Sequence, residues 1–229
     1  METVTFPDPL KAGVDCYRGA ECYRALWAEE VSLHSAIWHN GDLTARFDPT
    51  AYGGDVASLL ALDQDGGRLV PLAEGTCSNS EARRRLAAAS PQTLFPASKS
   101  PEGALSGLWL YFSCFDECHG LCQDLATPEG SFWHGILHRQ EPDASNAAYW
   151  FRRAGAHPVF PQIHAAAAEI LSRYSVPLKL KEHWDAMAFI DFCDEARRKP
   201  GSDSEKAGLE IQRAEWRILF DYCARPHQQ

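Results

Sequence analysis

The sequence predicts a mainly α fold: one domain in which helices pack as an antiparallel array behind a less regular N-terminal portion. Apolar residues recur at helical spacing from residue 101 onward. Short turns rich in Pro, Gly and Ser separate these segments, whereas prolines and paired glycines interrupt the pattern before residue 100. We therefore expect a single domain over 1–229, with an irregular or helical portion at 1–100 and a helical core at 101–225.

Size and charge limit the class of protein. A chain of 229 residues with 45% hydrophobic and 23% charged residues can bury a substantial core. Its net charge of -9 argues against a protein that grips a nucleic-acid backbone. The N-terminus lacks the apolar stretch of a signal peptide, and no stretch approaches the roughly 18 apolar residues of a spanning helix. We expect a cytoplasmic protein without a membrane partner, in an oligomeric state that the sequence leaves open.

A cytoplasmic location predicts that the eight cysteines are thiols. Cys114, Cys118 and Cys122 recur every four residues, so they are expected to stack along one face of a single helix, where they cannot easily pair. A packing seam of small residues is favoured over a thiolate metal site, because no Cys-x-x-Cys pair occurs in the chain.

Local signals delimit each predicted helix. Asn40-Gly41 ends a first helix, and Asn79 or Ser80 caps a second one. Pro101-Glu102 opens a long helix that ends near Leu125, and Thr127-Pro128 opens the next. Asp143 or Ser145 caps a third strong helix, which Gly155 ends. The predicted spans are 17 to 39, 81 to 89, 101 to 125, 128 to 141, 146 to 154, 161 to 174, 183 to 198 and 204 to 223.

Histidines and carboxylates indicate a functional centre between Asp116 and His157. His119 continues the apolar face of Leu108, Phe112 and Phe115, while Asp116 and Glu117 lie beside it. In the next helix His134 and His138 stand at i and i+4, the spacing with which two imidazoles bind one metal ion. The short turn between these helices predicts a hairpin. We therefore expect His134 and His138, with His119 or a carboxylate, to hold a divalent ion (Zn, Fe or Ni). Asp116, Glu117 and Glu141 are the predicted catalytic residues, with Glu117 or Glu141 as the general base.

The third helix adds groups that suit an anionic ligand. Asn146, Tyr149, Trp150 and Arg153 share one face, and arginine beside aromatic rings is a common way to hold a carboxylate or phosphate. Further cations flank this face. The predicted ligand-binding residues are Arg139, Asn146, Tyr149, Arg152, Arg153 and His157.

Three strings of the sequence resemble a group of uncharacterised microbial proteins. They are DECHGLCQ (116 to 123), GSFWHGILHRQEPDASNAAYWFRRAGAHPVF (130 to 160) and IQRAEWRILFDYC (211 to 223). The shared pattern runs through Asp116, Glu117, His119, Trp133, His134, His138, Arg139, Glu141, Asn146, the run 149–153, His157 and Pro158. The resemblance covers about half of the chain and implies no activity.

Three hypotheses fit these residues. The first is a metal-assisted enzyme that acts on a small anionic substrate, by hydrolysis or, with a histidine-carboxylate iron site, by oxygen chemistry. The second is a metal-free protein that binds an anionic or sugar-like small molecule. The third is a helical scaffold whose buried polar network is structural, since paired histidines and buried ion pairs also occur in folds without activity.

Overall fold

The computed structural model describes residues 47–226, which belong to one compact unit, Thr44–Gln229. Ten α-helices and no β-strand occur within this range, so the predicted mainly α fold is confirmed. The helices are α1 Gly54–Leu60, α2 Ser80–Ala87, α3 Pro91–Leu94, α4 Pro101–Tyr111, α5 Phe115–Asp124, α6 Pro128–Gln140, α7 Ala144–Ala154, α8 Phe160–Leu171, α9 Ala186–Ala196 and α10 Asp203–Ala224. The helix predicted over 17 to 39 lies outside the described residues.

Three of the predicted helix caps form as side-chain to backbone hydrogen bonds. Asn79 Oδ1 accepts from the Ala82 amide at 2.9 Å at the start of α2. Thr127 Oγ1 accepts from the Gly130 amide at 3.1 Å, and Asp143 Oδ1 accepts from the Asn146 amide at 3.1 Å. These bonds satisfy amides that a helix leaves unpaired in its first turn, so α2, α6 and α7 begin where the sequence predicts.

The single long helix predicted from Pro101 to Leu125 is wrong, because the chain breaks between Tyr111 and Phe115 into α4 and α5. Ser113 has a left-handed backbone at φ +54°. The Arg68 guanidinium donates to the Tyr111 carbonyl and, at 3.1 Å, to Ser113 Oγ, which holds the chain at the break. Consequently Leu108 and His119 lie on different helices, and their predicted common face does not exist.

The break also changes the predicted arrangement of the cysteines. Cys114 lies before the first turn of α5 and forms a disulfide with Cys77, so the prediction that these two are thiols is wrong. The Ser78 amide donates to the Phe112 carbonyl at 2.7 Å, which brings the two segments side by side. Cys118, Cys122, Cys193 and Cys223 are buried thiols, as predicted.

Helix α6 is the central element for the site. It contacts α4, α5, α7 and α9, and every residue from Gly130 to Gln140 is buried. The Trp133 ring lies so close to Gly107 of α4 that a Cβ there would approach it to 2.8 Å. Polar side chains on such a helix must find partners or a function. No helix within residues 47–226 has both the length and the apolar character needed to cross a bilayer.

Candidate metal centre

Three histidines from two helices meet at one point. His134 and His138 stand one turn apart on α6, and His119 reaches them from α5. One ring nitrogen of each lies within 4.8 Å of the others. The His134 and His138 rings are stacked with centroids 4.6 Å apart, whereas the His119 ring meets both edge-on. The structure therefore brings together the three residues predicted as metal ligands.

The tight turn between α5 and α6 produces this meeting. The Thr127 amide donates to the Leu125 carbonyl at 2.8 Å, so only a few residues separate the two helices. A Cβ at Gly130 would lie 2.3 Å from the Leu125 carbonyl oxygen. Glycine at 130 thus permits the close approach that lays α5 along α6, because a larger residue would clash with backbone.

His134 is the most deeply buried member of the group. Its side chain is almost fully enclosed, and neither ring nitrogen has a hydrogen-bond partner among the described residues. Burial, with contributions from His138 and His119, lowers the pKa of His134 to about 3. The imidazole is therefore neutral near pH 7 and keeps a free lone pair. A buried polar atom without a hydrogen-bond partner costs about 1–3 kcal/mol of stability. Such an unpaired atom is therefore unusual in a purely structural network.

His138 is held by two neighbours. Its Nδ1 lies 2.7 Å from Glu141 Oε2, and its Nε2 lies 3.1 Å from Asn146 Nδ2. A carboxylate at this distance accepts a hydrogen bond from the Nδ1–H group, which leaves the lone pair on Nε2. Carboxylates bind metal-coordinating histidines in this way and fix the ring's tautomer and orientation. Glu141 thus contacts a candidate ligand directly, as its spacing from His138 predicts.

The donor set fits a divalent transition ion. Imidazole nitrogens suit zinc, iron and nickel. Nitrogens each about 2.1 Å from a tetrahedral zinc ion lie about 3.4 Å apart, so binding would shorten each nitrogen–nitrogen separation by about 1.4 Å at most. His119, Asn146 and Glu141 are all partly exposed, so solvent reaches one side of the group.

Two of the predicted catalytic carboxylates lie elsewhere. Asp116 is exposed, and Glu117 forms an ion pair with Arg83 at 2.5 Å. Among residues 47–226 the group of mutually close metal-competent atoms contains the three imidazoles and no carboxylate. The geometry therefore does not place Asp116 or Glu117 at the centre, since both side chains lie on the solvent side of α5.

Arg139 points away from the histidines, contrary to its prediction as a ligand-binding residue. Its side chain is fully buried, pairs with Glu215 of α10 at 2.5 Å and donates to Gln212 at 3.3 Å. Its guanidinium carbon also lies 4.6 Å from the Phe189 ring centre. Because Arg139 follows His138 directly, helical geometry rotates it by about 100° onto another face of α6. It joins α6 to α9 and α10.

His157 is also separate from the centre. Its ring packs edge-on against Phe132 and Tyr222, and its Nε2 lies 3.9 Å from Glu129 at the start of α6. Its Nδ1 accepts a hydrogen bond from the Val159 amide at 3.4 Å. Burial, followed by the Lys99 charge, lowers the pKa of His157 to about 3. His157 thus stabilises the start of α8 as a neutral ring.

Helix α7 places an aromatic and cationic group next to His134. The Trp150 ring stacks on the His134 ring at 3.9 Å between centroids. The Arg153 guanidinium carbon lies 5.2 Å from the Trp150 ring centre, and its Nη1 donates to Tyr149 Oη at 3.2 Å. These distances place Arg153 within about 9 Å of the His134 ring centre. Arg152 is exposed and has no such aromatic contact among the described residues.

Trp150 is the residue that the predicted site lacked. The signal was present, because Trp150 follows Asn146 by four residues on the same helical face. The sequence analysis places Trp150 on the face of Asn146, Tyr149 and Arg153 but does not include it among the ligand-binding residues.

Comparisons with known proteins give no match: no family model, no curated protein and no solved structure matches the chain. The resemblance to an uncharacterised microbial group stays a prediction.

Proposed function

We propose that this protein is a metal-dependent enzyme, of hydrolase type, that acts on a small anionic molecule. The observation that carries the proposal is His134. It lies buried between His138, His119 and Trp150, and both of its ring nitrogens lack a partner among the described residues. A divalent ion held by the three histidines would bind the lone pair of one His134 ring nitrogen. No described group near His134 does so.

The chain's own residues take distinct roles in this proposal. His119, His134 and His138 bind the ion, and Glu141 orients His138 through the 2.7 Å contact to Nδ1. Arg153 binds the anionic part of the substrate beside Trp150. Such an ion polarises a carbonyl or phosphoryl oxygen and activates water for attack, so hydrolysis needs no further carboxylate at the centre.

The scaffold hypothesis agrees less well with these contacts. In a structural network most buried polar side chains have a partner: Arg139 pairs with Glu215, and His157 is bonded through one ring nitrogen. His134 differs because neither of its ring nitrogens is paired among the described residues. A metal-free binding protein is the second candidate, because the exposed Tyr149 and the Arg153–Trp150 contact suit an anionic or sugar-like ligand without an ion. The two candidates differ in whether the histidines bind metal.

Elemental analysis of the purified protein separates these functions. We expect about one zinc, iron or nickel ion per chain in the parent and none in the folded variants His134→Ala and His138→Ala. His183→Ala removes an exposed histidine and should keep the metal. A parent that binds no added Zn²⁺, Fe²⁺ or Ni²⁺ would refute the metal site and leave the binding protein as the better candidate.

A second experiment tests the reaction. The metal-loaded protein is assayed for hydrolysis of small carboxylate-bearing esters and amides and of phosphate monoesters. We expect turnover that is lost on chelation, restored by the metal found in the parent, and lost in His134→Ala. A loaded protein that binds these anions without turnover would overturn the enzymatic part of the proposal. If the ion found is Fe²⁺, oxygen uptake with a carboxylate substrate tests the oxygen chemistry instead.

A further inference from the structure

The Cys77–Cys114 disulfide holds the start of the helix that carries His119. Cys114 is the N-cap residue of α5, and Cys77 lies in the segment just before α2, 37 positions earlier in the chain. His119 lies in the second turn of α5. The disulfide is therefore a covalent link between a surface segment and the helix that brings His119 to the two histidines of α6.

The other contacts between these two segments are weaker. Arg83 of α2 pairs with Glu117 of α5 at 2.5 Å, but the Arg83 side chain is 55% exposed, and such surface pairs contribute little to stability. The Ser78 amide donates to the Phe112 carbonyl at 2.7 Å. Opening the disulfide would leave the start of α5 with these contacts and the packing of its apolar side chains. We therefore expect α5 to hold His119 less firmly once the disulfide is open.

Solvent reaches one of the two sulfur atoms. Cys77 is partly exposed between the exposed residues Thr76 and Ser78, whereas Cys114 is 1% exposed. A thiol reductant therefore attacks the Cys77 sulfur, and Cys114 is the leaving group. Because Cys114 caps the N-terminus of α5, the helix dipole stabilises the thiolate that forms. Both features favour opening of the disulfide in the folded protein.

The structure also provides hydrogen-bond acceptors for both thiols. The Phe112 carbonyl oxygen lies 3.7 Å from Cys114 Sγ, and the Asn79 carbonyl oxygen lies 3.9 Å from Cys77 Sγ. A thiol is a weak donor that can use such acceptors. The open form therefore has a partner for each thiol close to where the sulfur already lies.

We infer that the Cys77–Cys114 disulfide is a redox switch that regulates the metal centre, because the dithiol form binds the ion more weakly than the disulfide form. The inference rests on the proposed metal site and adds its regulation. The reductant is a dithiol. One of its sulfurs forms a mixed disulfide with Cys77 while Cys114 leaves and takes up a proton. Its second sulfur then releases Cys77 as a thiol. The reductant becomes a disulfide, and the protein gains two electrons and two protons.

Zinc titration of the parent in both redox states tests this inference. The folded parent is treated with dithiothreitol, which is removed under nitrogen before the titration because it binds Zn²⁺ itself. Maleimide labelling and mass spectrometry show whether Cys77 has become a thiol, and competition with a chromophoric chelator gives the Zn²⁺ affinity. The double variant Cys77→Ser/Cys114→Ser cannot form the disulfide. Cys193→Ala removes a buried thiol on α9 and is the matched control.

We expect dithiothreitol to open the disulfide without denaturant and to weaken Zn²⁺ binding by about tenfold, as loss of a contact that supports a metal ligand does. The double variant should have the affinity of the reduced parent and no response to dithiothreitol, whereas Cys193→Ala should respond as the parent does. Circular dichroism checks folding. If the double variant does not fold, the comparison of the oxidised and reduced parent decides.

Three results would overturn the switch while leaving the three-histidine site intact. They are a Cys77 that stays unlabelled in the folded, dithiothreitol-treated parent, equal or tighter Zn²⁺ binding in the reduced parent, and a response to dithiothreitol in the double variant. A parent that binds no Zn²⁺ in either redox state would overturn the metal site itself.

Discussion

The indole of Trp150 covers the His134 imidazole, with ring centroids 3.9 Å apart and planes inclined by 21°. His138 stacks on His134 as well, at 4.6 Å, so His134 has little rotational freedom. A ligand that is already oriented loses less conformational entropy when it binds an ion. In the proposed metal site, Trp150 would therefore contribute to metal affinity without touching the ion.

Replacing Trp150 by Ala should weaken Zn²⁺ binding, because His134 becomes mobile and more hydrated. We expect a loss of about tenfold, within the range seen when a supporting contact of a metal ligand is removed. Trp150→Phe keeps a ring and should retain most of the affinity. The measurement is chelator competition on both variants. Equal Zn²⁺ affinities for the alanine and phenylalanine variants would contradict this role.

The Arg139–Glu215 ion pair should be important for stability and irrelevant to metal binding. Both side chains are fully buried, so Glu215→Gln or Arg139→Met alone leaves an uncompensated charge. We expect each single variant to lose about 3–5 kcal/mol of unfolding free energy. The double variant should lose less than the two single losses combined, since neither charge remains. Urea unfolding measures the free energy of unfolding of the parent, the two single variants and the double variant. If the two single losses simply add in the double variant, that would count against a direct interaction between Arg139 and Glu215.

His157 should make the metal-free protein less stable in acid. Its folded pKa is about 3, below the roughly 6.5 of an unfolded histidine. Above pH 6.5 both states are neutral and the full stability is present. Between pH 6.5 and 3 only the unfolded state binds the proton, so stability falls as the pH falls, by up to about 1.4 kcal/mol per pH unit. Protonation of the native ring would break the Val159 bond.

The test compares His157→Gln with His183→Gln, an exposed histidine, by urea unfolding between pH 4 and 7.5 with a chelator present. The His157 variant should show a shallower loss of stability in acid than the parent, whereas the His183 variant should follow the parent. Parallel pH profiles for all three proteins would show that His157 is protonated in the native state.

Arg153 and Arg152 should differ in anion binding although they are neighbours. Both side chains are exposed, but Arg153 lies beside Trp150 and Tyr149, whereas Arg152 has no such contact among the described residues. We expect Arg153→Gln to weaken the binding of inorganic phosphate to the Zn²⁺-loaded protein by about tenfold, as loss of a charge-assisted hydrogen bond predicts. Arg152→Gln should change it little. Calorimetric titration measures phosphate binding to both variants. A larger loss of affinity in Arg152→Gln than in Arg153→Gln would place the anion site at Arg152.

The sequence predicted the features that depend on local signals. The caps at Asn79, Thr127 and Asp143 form because each needs only the next three residues of the chain. The i, i+4 spacing of His134 and His138 and the short turn before Pro128 were enough to predict their meeting with His119. The chain break at Ser113 was not predicted, because it depends on Arg68, which is distant in sequence.

Distant partners also explain why some predicted site residues lie away from the three histidines. Arg139 follows His138 and looked like a ligand-binding cation, but it lies on another face of α6, and its partner Glu215 of α10 is 76 residues away. Glu117 looked like a general base, and its partner Arg83 lies on α2. A charged residue beside a histidine does not show which side of the helix holds its counterion, so the sequence alone could not separate site residues from structural pairs.

The break that separates α4 from α5 has a consequence for the metal-free protein. Since α5 is not a continuation of α4, it lacks the support of a longer helix, and an ion bound by His119, His134 and His138 would add a link to α6 beyond the packing of the two helices. Loading the centre would then lower the rate of amide hydrogen exchange across Phe115–Asp124 more than across Ala186–Ala196, which carries no ligand. Part of the free energy of metal binding would thereby become free energy of folding for this one helix.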